Sequence, residues 1–223
     1  MSGLGVLIVL AVCGLSGFFV VADERRDRGA EAAERAGAER LAARTTDPAP
    51  LTLGEVFPGR WIQPDPGSGR YAVGTVHADA ECGAATLGRL GEVLDGYGCS
   101  QVVRAAIVAP YGGYRVTAGV VNLPDAASAA RSGEEVRRLV EAGEGSFATL
   151  GSIRRPLAQV GWREHGHYLV FCVISRPDAG VVRDDDRYAE RITVDLVESY
   201  LIQQVLGRRA SAGQPPRPLT QST

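Results

Sequence analysis

The chain has 223 residues, of which 24 are basic and 26 acidic, for a formal net charge of −2 at pH 7. This balance excludes the strongly basic surface that nucleic-acid-binding domains use, so we expect no nucleic-acid partner. The length allows one or two domains, but both ends of the chain differ in composition from its middle. We therefore predict one α+β domain, over residues 51–208, which is a common single-domain size.

The chain begins with an apolar run in which residues 4–22 carry no charge. As a helix this run would rise about 28 Å, close to the roughly 30 Å of a bilayer's hydrocarbon core. We predict a transmembrane anchor over residues 1–22, with residues 4–22 in contact with lipid. A cleaved signal peptide is the alternative, because Val20 and Ala22 are small, although no basic region precedes the run.

Two features of the sequence disagree about the side of the membrane on which the domain lies. Arg25, Arg26 and Arg28 follow the anchor, and the positive-inside rule would then place the domain in the cytoplasm. Acidic residues are mixed among these arginines, however, and three cysteines in the domain favour an oxidising compartment. We predict a single-pass protein of the cell membrane with its domain outside the cytoplasm.

The segments on either side of the domain are polar. Residues 23–50 predict a charged helical stalk and a linker, with Glu31 and Arg35 at the four-residue spacing that stabilises an exposed helix. Glu24 and Arg28 share this spacing, and Leu41 is the only large aliphatic residue of the stalk. Residues 209–223 are rich in Pro, Gln and Ser and predict a disordered tail.

From residue 71 onward, regular patterns predict the order β-α-β-β-α, then a long loop and β-β-α. The first five elements match the opening of a ferredoxin-like split βαβ unit. We therefore predict a ferredoxin-like sheet domain, extended by a β-hairpin over residues 160–175 and by a C-terminal helix. Residues 167–175 are apolar on both faces, which is typical of a covered strand. The acidic run 184–186 predicts the N-cap of the last helix.

Four segments of the domain are distinctive as strings: AECGAATLGRL, GCSQVVRAAIV, YRVTAGVVNLPDAASA and VGWREHGHYLVFCVI. They resemble a group of uncharacterised actinomycete proteins that carry one N-terminal membrane segment followed by a domain of this kind. The similarity covers residues 55–203. It implies a membrane-tethered, exported domain and supplies no activity, cofactor or catalytic residue. The chain departs from this group because no basic residues precede its anchor.

The cysteines of the domain allow several pairings. We predict a disulfide between Cys82 and Cys99, which would stabilise the fold by about 3 kcal/mol in the chain-entropy model. A helix over residues 84–96 would rise about 18 Å, whereas bridged Cα atoms lie about 4.4–6.8 Å apart, so the flanks would have to fold back. A bond from Cys82 to Cys172, and three reduced thiols, are the alternatives. Cys172 also fits a buried apolar position.

Few residues suggest chemistry. His77, Asp79 and Glu81 alternate along one predicted strand, and His165 and His167 flank a glycine. These side chains could ligate a metal only if two strand ends met, and no HExxH or CxxC spacing supports such a site. We therefore keep His77, Asp79, His165 and His167 as weak metal candidates and expect no metal or cofactor.

A nucleophile could be drawn from Cys82 or Ser100, with His77 or His165 as its base. Nothing in the sequence fixes their relative positions, so enzymatic activity is the less favoured of three function classes. The favoured class is a membrane-tethered, non-enzymatic interaction or ligand-binding domain. The first alternative is a structural subunit of a cell-envelope assembly, which would form a homo-oligomer or bind another envelope protein. The second alternative is a metal- or thiol-dependent enzyme.

The anchor is testable. Because residues 4–22 carry no charge and match the bilayer in length, the full-length protein should stay with bacterial membranes after a carbonate wash, with its N-terminus intact. Immunoblotting of the pellet and supernatant, with mass spectrometry of the N-terminal peptide, measures both properties. Release into the supernatant, or loss of the first 22 residues, would contradict the anchor.

Overall fold

A six-stranded antiparallel sheet organises the chain, in the strand order β1-β2-β4-β5-β8-β7. The structure, a computed structural model, describes residues 29–151 and 158–212. The six strands are β1 (Trp61–Ile62), β2 (Tyr71–Asp79), β4 (Gln101–Val108), β5 (Arg115–Asn122), β7 (Gln159–His165) and β8 (Tyr168–Ser175). Two further strands, β3 (Thr86–Gly88) and β6 (Gly145–Phe147), form a separate small sheet.

Helices lie on both faces of the large sheet. The helices are α1 over residues 29–40, α2 (Leu53–Val56), α3 (Leu90–Gly96), α4 (Ala126–Ala142) and α5 (Arg187–Thr193). A 3₁₀ helix (Cys82–Ala85) precedes β3. Helix α5 continues without a break as a π-helix (Val194–Leu206) and then as α6 (Gly207–Ser211). We call residues 187–211 together the C-terminal helix. Its α5 portion is capped by Asp186, as the acidic run predicts.

Each face of the sheet has its own apolar core. Alternate residues of β8 point to opposite faces, so Tyr168 and Val170 pack towards the C-terminal helix while Leu169 and Phe171 pack towards α3 and α4. All eight residues of β8 are buried, which confirms the covered strand that its sequence predicts. The mixed α+β class and the hairpin of β7 and β8 are also confirmed.

The ferredoxin-like arrangement is wrong. In a split βαβ unit, the two strands joined by the first helix are parallel and a third strand lies between them. Here β2 and β4 are direct antiparallel neighbours, with His77 opposite Arg104, and β5 pairs on the far side of β4. The segment between β2 and β4 therefore returns to the same end of the sheet and does not cross over it.

This return segment explains the disulfide. The predicted helix over residues 84–96 is replaced by the 3₁₀ helix, β3 and the short helix α3, so the chain doubles back. The Cα atoms of Cys82 and Cys99 are consequently 6.2 Å apart and the two residues form a disulfide. The predicted pairing is confirmed, and the rival bond to Cys172 is not formed, because Cys172 lies buried in β8.

The folded unit begins before residue 51, where the sequence placed its boundary. Leu41 is buried in the core, and its carbonyl oxygen accepts a hydrogen bond from the backbone N–H of His167 at 2.7 Å. Gly166, with a φ of 58°, turns β7 into β8 directly beneath Leu41, where a side chain would collide with the Leu41 backbone. The linker that we predicted before residue 51 is therefore docked on the β7–β8 turn.

A buried polar cluster holds this segment in place; we call Asp47, Glu55, His167, Tyr168 and Arg209 the Asp47 cluster. Oδ2 of Asp47 accepts hydrogen bonds from the hydroxyl of Tyr168 at 2.7 Å and from Nε of Arg209 at 2.6 Å. Nη1 of Arg209 also donates to both carboxylate oxygens of Glu55. Arg209, which the sequence placed in a disordered tail, is thus part of the folded unit.

The outermost segments are described only in part. In α1, the predicted pair of Glu31 and Arg35 is present at 2.9 Å, and Gly37 lies against Ala210 of α6. The pair of Glu24 and Arg28, the anchor over residues 1–22 and residues 213–223 of the tail lie outside the described residues. Within residues 29–151 and 158–212, no helix has both the length and the hydropathy that a membrane crossing requires.

The Asp47 cluster makes a measurable contribution to stability. In a fragment of residues 41–212, which contains the whole cluster, replacement of Arg209 by Met should lower the free energy of unfolding by about 3–5 kcal/mol, because the carboxylate of Asp47 would stay buried without its cation. Arg208 is exposed on the same turn, so Arg208→Met is the matched control and should change stability by less than about 0.5 kcal/mol.

Denaturant melts followed by circular dichroism measure both variants. If Arg209→Met and Arg208→Met lowered the free energy of unfolding equally, the ion pair of Arg209 with Asp47 would not account for the predicted stabilisation. A non-cooperative melt of the parent fragment would show that residues 41–212 are not the folding unit.

Candidate functional site

The weak metal candidates do not come together. His77 and Asp79 lie on β2, whereas His165 ends β7 and His167 lies in the turn before β8. Strands β4 and β5 separate β2 from β8, so the two pairs are about 14 Å or more apart, far beyond shared coordination. Among the residues that the structure describes, no three His, Cys, Asp or Glu side chains are placed to hold one ion.

Two of these candidates, Asp79 and His167, have local roles instead. Asp79 accepts a hydrogen bond from Nε of the buried Arg104 at 3.0 Å. His167 has no exposed surface and belongs to the Asp47 cluster, with Nδ1 at 2.9 Å from the carbonyl oxygen of Leu123. His165 is half-buried, and burial lowers the pKa of its imidazole although Glu198 opposes this shift.

The Asp47 cluster is saturated with hydrogen bonds. Burial alone would raise the pKa of Asp47, but the hydrogen bonds from Arg209 and Tyr168 outweigh burial and hold that pKa below its usual value. The carboxylate therefore stabilises the fold above its unfolded-state pKa and loses this contribution as the pH falls through its folded-state pKa. We read the cluster as structural, because its donors and acceptors are directed at one another.

The candidate nucleophiles are not assembled either. Cys82 is consumed by the disulfide, and Ser100 directs its hydroxyl towards the carbonyl oxygen of Asn122. In the described part of the chain no hydrogen bond links Ser100 to a histidine. Cys172 is fully buried, and burial raises the pKa of its thiol to about 11, so it is protonated at neutral pH.

A different surface, which the sequence did not reveal, has the features of a binding site. We call it the tyrosine–arginine recess: a shallow, open depression of about 330 Å³ at the start of the C-terminal helix. Its lining residues are Gly67, Tyr111, Arg187, Tyr188 and Arg191. Tyr111 comes from the turn between β4 and β5, and the two arginines and Tyr188 come from α5.

One buried carboxylate fixes the floor of the recess. Asp195 is 1% exposed, and its Oδ2 accepts hydrogen bonds from the hydroxyls of Tyr71 at 2.7 Å and Tyr111 at 3.1 Å. Its Oδ1 accepts from Nε of Arg191 at 2.8 Å. Burial, and then the bond to Asp195, raise the pKa of Tyr71 far above its usual value, so this hydroxyl stays protonated and donates. Tyr111 and Arg191 are therefore held in fixed positions.

The rim of the recess is more open. Tyr188 is 44% exposed, and its ring stacks on Tyr111 with centroids 6.1 Å apart and an interplanar angle of 12°. The guanidinium of Arg187 lies 5.6 Å from the centroid of the Tyr188 ring. Within the described residues no carboxylate forms an ion pair with Arg187, although the acidic run 184–186 directly precedes it in the chain.

A second surface lies at the end of the sheet that α4 does not cover. Trp61, Ala72 and Val108 form one row across β1, β2 and β4, and the row continues to Arg115 on β5. Trp61 is 56% and Val108 48% exposed. A groove of about 220 Å³ runs beside this row, lined mainly by small and apolar residues of β2, β4 and β5.

Comparison with known proteins assigns the chain to no family. No protein-family model matches the chain, and neither curated proteins nor solved structures give a match. The interpretation of the recess therefore rests on its own geometry. No local sequence pattern indicates the recess, because Tyr71, Tyr111 and Asp195 meet only through the fold.

The different states of the cysteines are testable, because Cys82 and Cys99 form a disulfide whereas Cys172 is a buried free thiol. Protein taken from membranes and digested without reduction should yield a peptide pair that joins Cys82 to Cys99. In the folded protein Cys172 should resist iodoacetamide at about pH 8 and react once the protein is unfolded, because its buried thiol is protonated. Mass spectrometry reads both results. Alkylation of Cys172 in the folded protein, or a peptide pair joining Cys82 to Cys172, would contradict the structure.

Proposed function

We propose that this protein is a membrane-tethered, extracytoplasmic domain that binds a ligand at the tyrosine–arginine recess without transforming it. The observation that carries the proposal is the combination of a fixed floor with an open rim. Asp195 holds Tyr111 and Arg191 in place, while Tyr188 and Arg187 present an aromatic ring and a cation to solvent, and this cation forms no ion pair among the described residues. Fixed groups at the base of a cavity lower the ordering cost of binding.

The tether and the compartment are supported separately. The uncharged run over residues 4–22 supports the anchor, and the disulfide between Cys82 and Cys99 supports an oxidising compartment, because such bonds are rare in the cytosol. The resemblance to exported, membrane-anchored actinomycete proteins points in the same direction. With these supports, the recess would face the extracytoplasmic space.

A specific observation favours assembly in the cell envelope as a second function. The row of exposed Trp61, partly buried Ala72 and exposed Val108 is an apolar strip at an uncovered end of the sheet, and exposed apolar surface of this kind often marks protein contacts. Arg70 places its guanidinium 5.6 Å from the Trp61 ring, which adds a polar margin to the strip. A third function, a metal- or thiol-dependent enzyme, has less support because its candidate residues lie apart or buried.

The proposal is tested by screening small ring compounds against the full-length protein in detergent. Saturation-transfer NMR should detect binders, and Tyr188→Ser should abolish most of their signal because it removes the exposed ring of the recess. Leu87→Ser is the matched control, since Leu87 is also an exposed apolar residue (51%) but lies on β3 outside the recess. Binding that both variants reduce equally, or no binding at all, would contradict a ligand site at the recess.

A further inference from the structure

The groups that line the recess restrict the chemistry of its ligand. Among the five lining residues the charged side chains are two arginines, and the carboxylates next to Arg191 are the buried Asp195 and the partly exposed Asp65. The Tyr111 hydroxyl is already committed as a donor to Asp195. The recess therefore offers mainly N–H donors and aromatic surface, which suit a ligand that supplies acceptors.

The two arginines contribute differently. Arg191 donates through Nε to Asp195, and its Nη2 lies 3.6 Å from Asp65, which is longer than a hydrogen bond. Arg191 is thus fixed and largely neutralised, with donors left over. Arg187 forms no ion pair with any carboxylate in the described ranges, so an anionic group of the ligand is best placed at Arg187, where a planar guanidinium can donate two parallel hydrogen bonds.

The aromatic residues of the recess favour a ligand that also contains a planar ring. The rings of Tyr111 and Tyr188 are nearly parallel, with centroids 6.1 Å apart, so no ligand ring fits between them. The guanidinium of Arg187 lies over the Tyr188 ring, so a ligand ring would pack on the part of Tyr188 that remains exposed beside Arg187. A volume of about 330 Å³ is at the lower end of ligand cavities and fits one ring system with one substituent.

We infer that the tyrosine–arginine recess binds a small anion that consists of a planar ring system bearing one carboxylate or phosphate group. The inference rests on the proposed function and adds the class of ligand to it. The ring packs on Tyr188, the anionic group pairs with Arg187, and Arg191 supplies a further donor from a fixed position.

Matched probes separate the contributions of charge and planarity. The probes are 2-naphthoate, 2-naphthyl phosphate, the neutral 2-naphthamide and the saturated decahydro-2-naphthoate. Equilibrium dialysis with the full-length protein in detergent, corrected with protein-free micelles, measures their affinities. At least one of the two planar anions should bind about tenfold or more tightly than the amide and the saturated acid, since a charge-assisted hydrogen bond and a ring contact are each of that order. The comparison of carboxylate with phosphate shows which anionic group is preferred.

The variant Arg187→Gln should remove the preference for anions while the amide still binds, because the positive charge and the guanidinium are lost and the exposed ring of Tyr188 remains. Arg208→Gln, at an exposed arginine of α6, should leave every affinity unchanged. If the wild-type protein bound the amide and the planar anions with equal affinity, the inferred ligand class would be wrong. The proposal of a ligand site at the recess would not be affected by that result. Absence of any binding that depends on Tyr188 would overturn both the ligand class and the proposed function.

Discussion

A single buried carboxylate, Asp47, connects three parts of the chain that are distant in sequence. It lies in the segment that leads into the domain and accepts hydrogen bonds from Tyr168 of the β7–β8 hairpin and from Arg209 of the C-terminal helix. A carboxylate without these donors would be costly to bury. The same donors therefore decide where the entering segment and the end of the last helix can lie. Their partnership also explains why the folded unit starts near Leu41.

The C-terminal helix is held in this way at more than one point. Arg209 fixes its end through Asp47, Asp195 fixes its middle through Tyr71 and Tyr111, and Asp186 caps its start. From Val194 to Leu206 the helix is a π-helix whose apolar residues pack on the sheet. Because the recess residues Arg187, Tyr188 and Arg191 lie on the first turns of this helix, the contacts that stabilise the fold also set the geometry of the proposed site.

The opposite face of the sheet is organised by covalent and apolar contacts. The disulfide joins the 3₁₀ helix to the segment just after α3, and this layer packs with α4 on Leu169 and Phe171 of β8. Ring stacking of Phe147 on Phe171 attaches the small β3–β6 sheet to the same core. This face also carries a buried ion pair, because Arg104 donates through Nε to Asp79 and through Nη2 to the carbonyl oxygen of Ala84 in the 3₁₀ helix.

Local patterns in the sequence determined the elements whose signal is local. The strands β4, β5 and β8, the cap at Asp186 and the apolar face of the C-terminal helix follow from alternation, capping chemistry and periodicity. The pairing of Cys82 with Cys99 was also predicted from the sequence. That prediction required the helix between the two cysteines to be shorter than the spacing of Leu87, Leu90 and Leu94 indicates. Leu87 shows why that length was misjudged: it continues the helical spacing of Leu90 and Leu94 yet lies half-exposed in β3.

Only the tertiary structure decided the strand order, the true limits of the folded unit and the proposed site. Each depends on residues separated by many tens of positions, such as Asp47 with Arg209 or Tyr71 with Asp195. A polar residue in a linker or tail looks solvated in the sequence, because its neighbours along the chain are polar. Its burial is decided by the partner that the fold brings to it, and hydrogen bonds between distant side chains leave no periodic trace in the sequence.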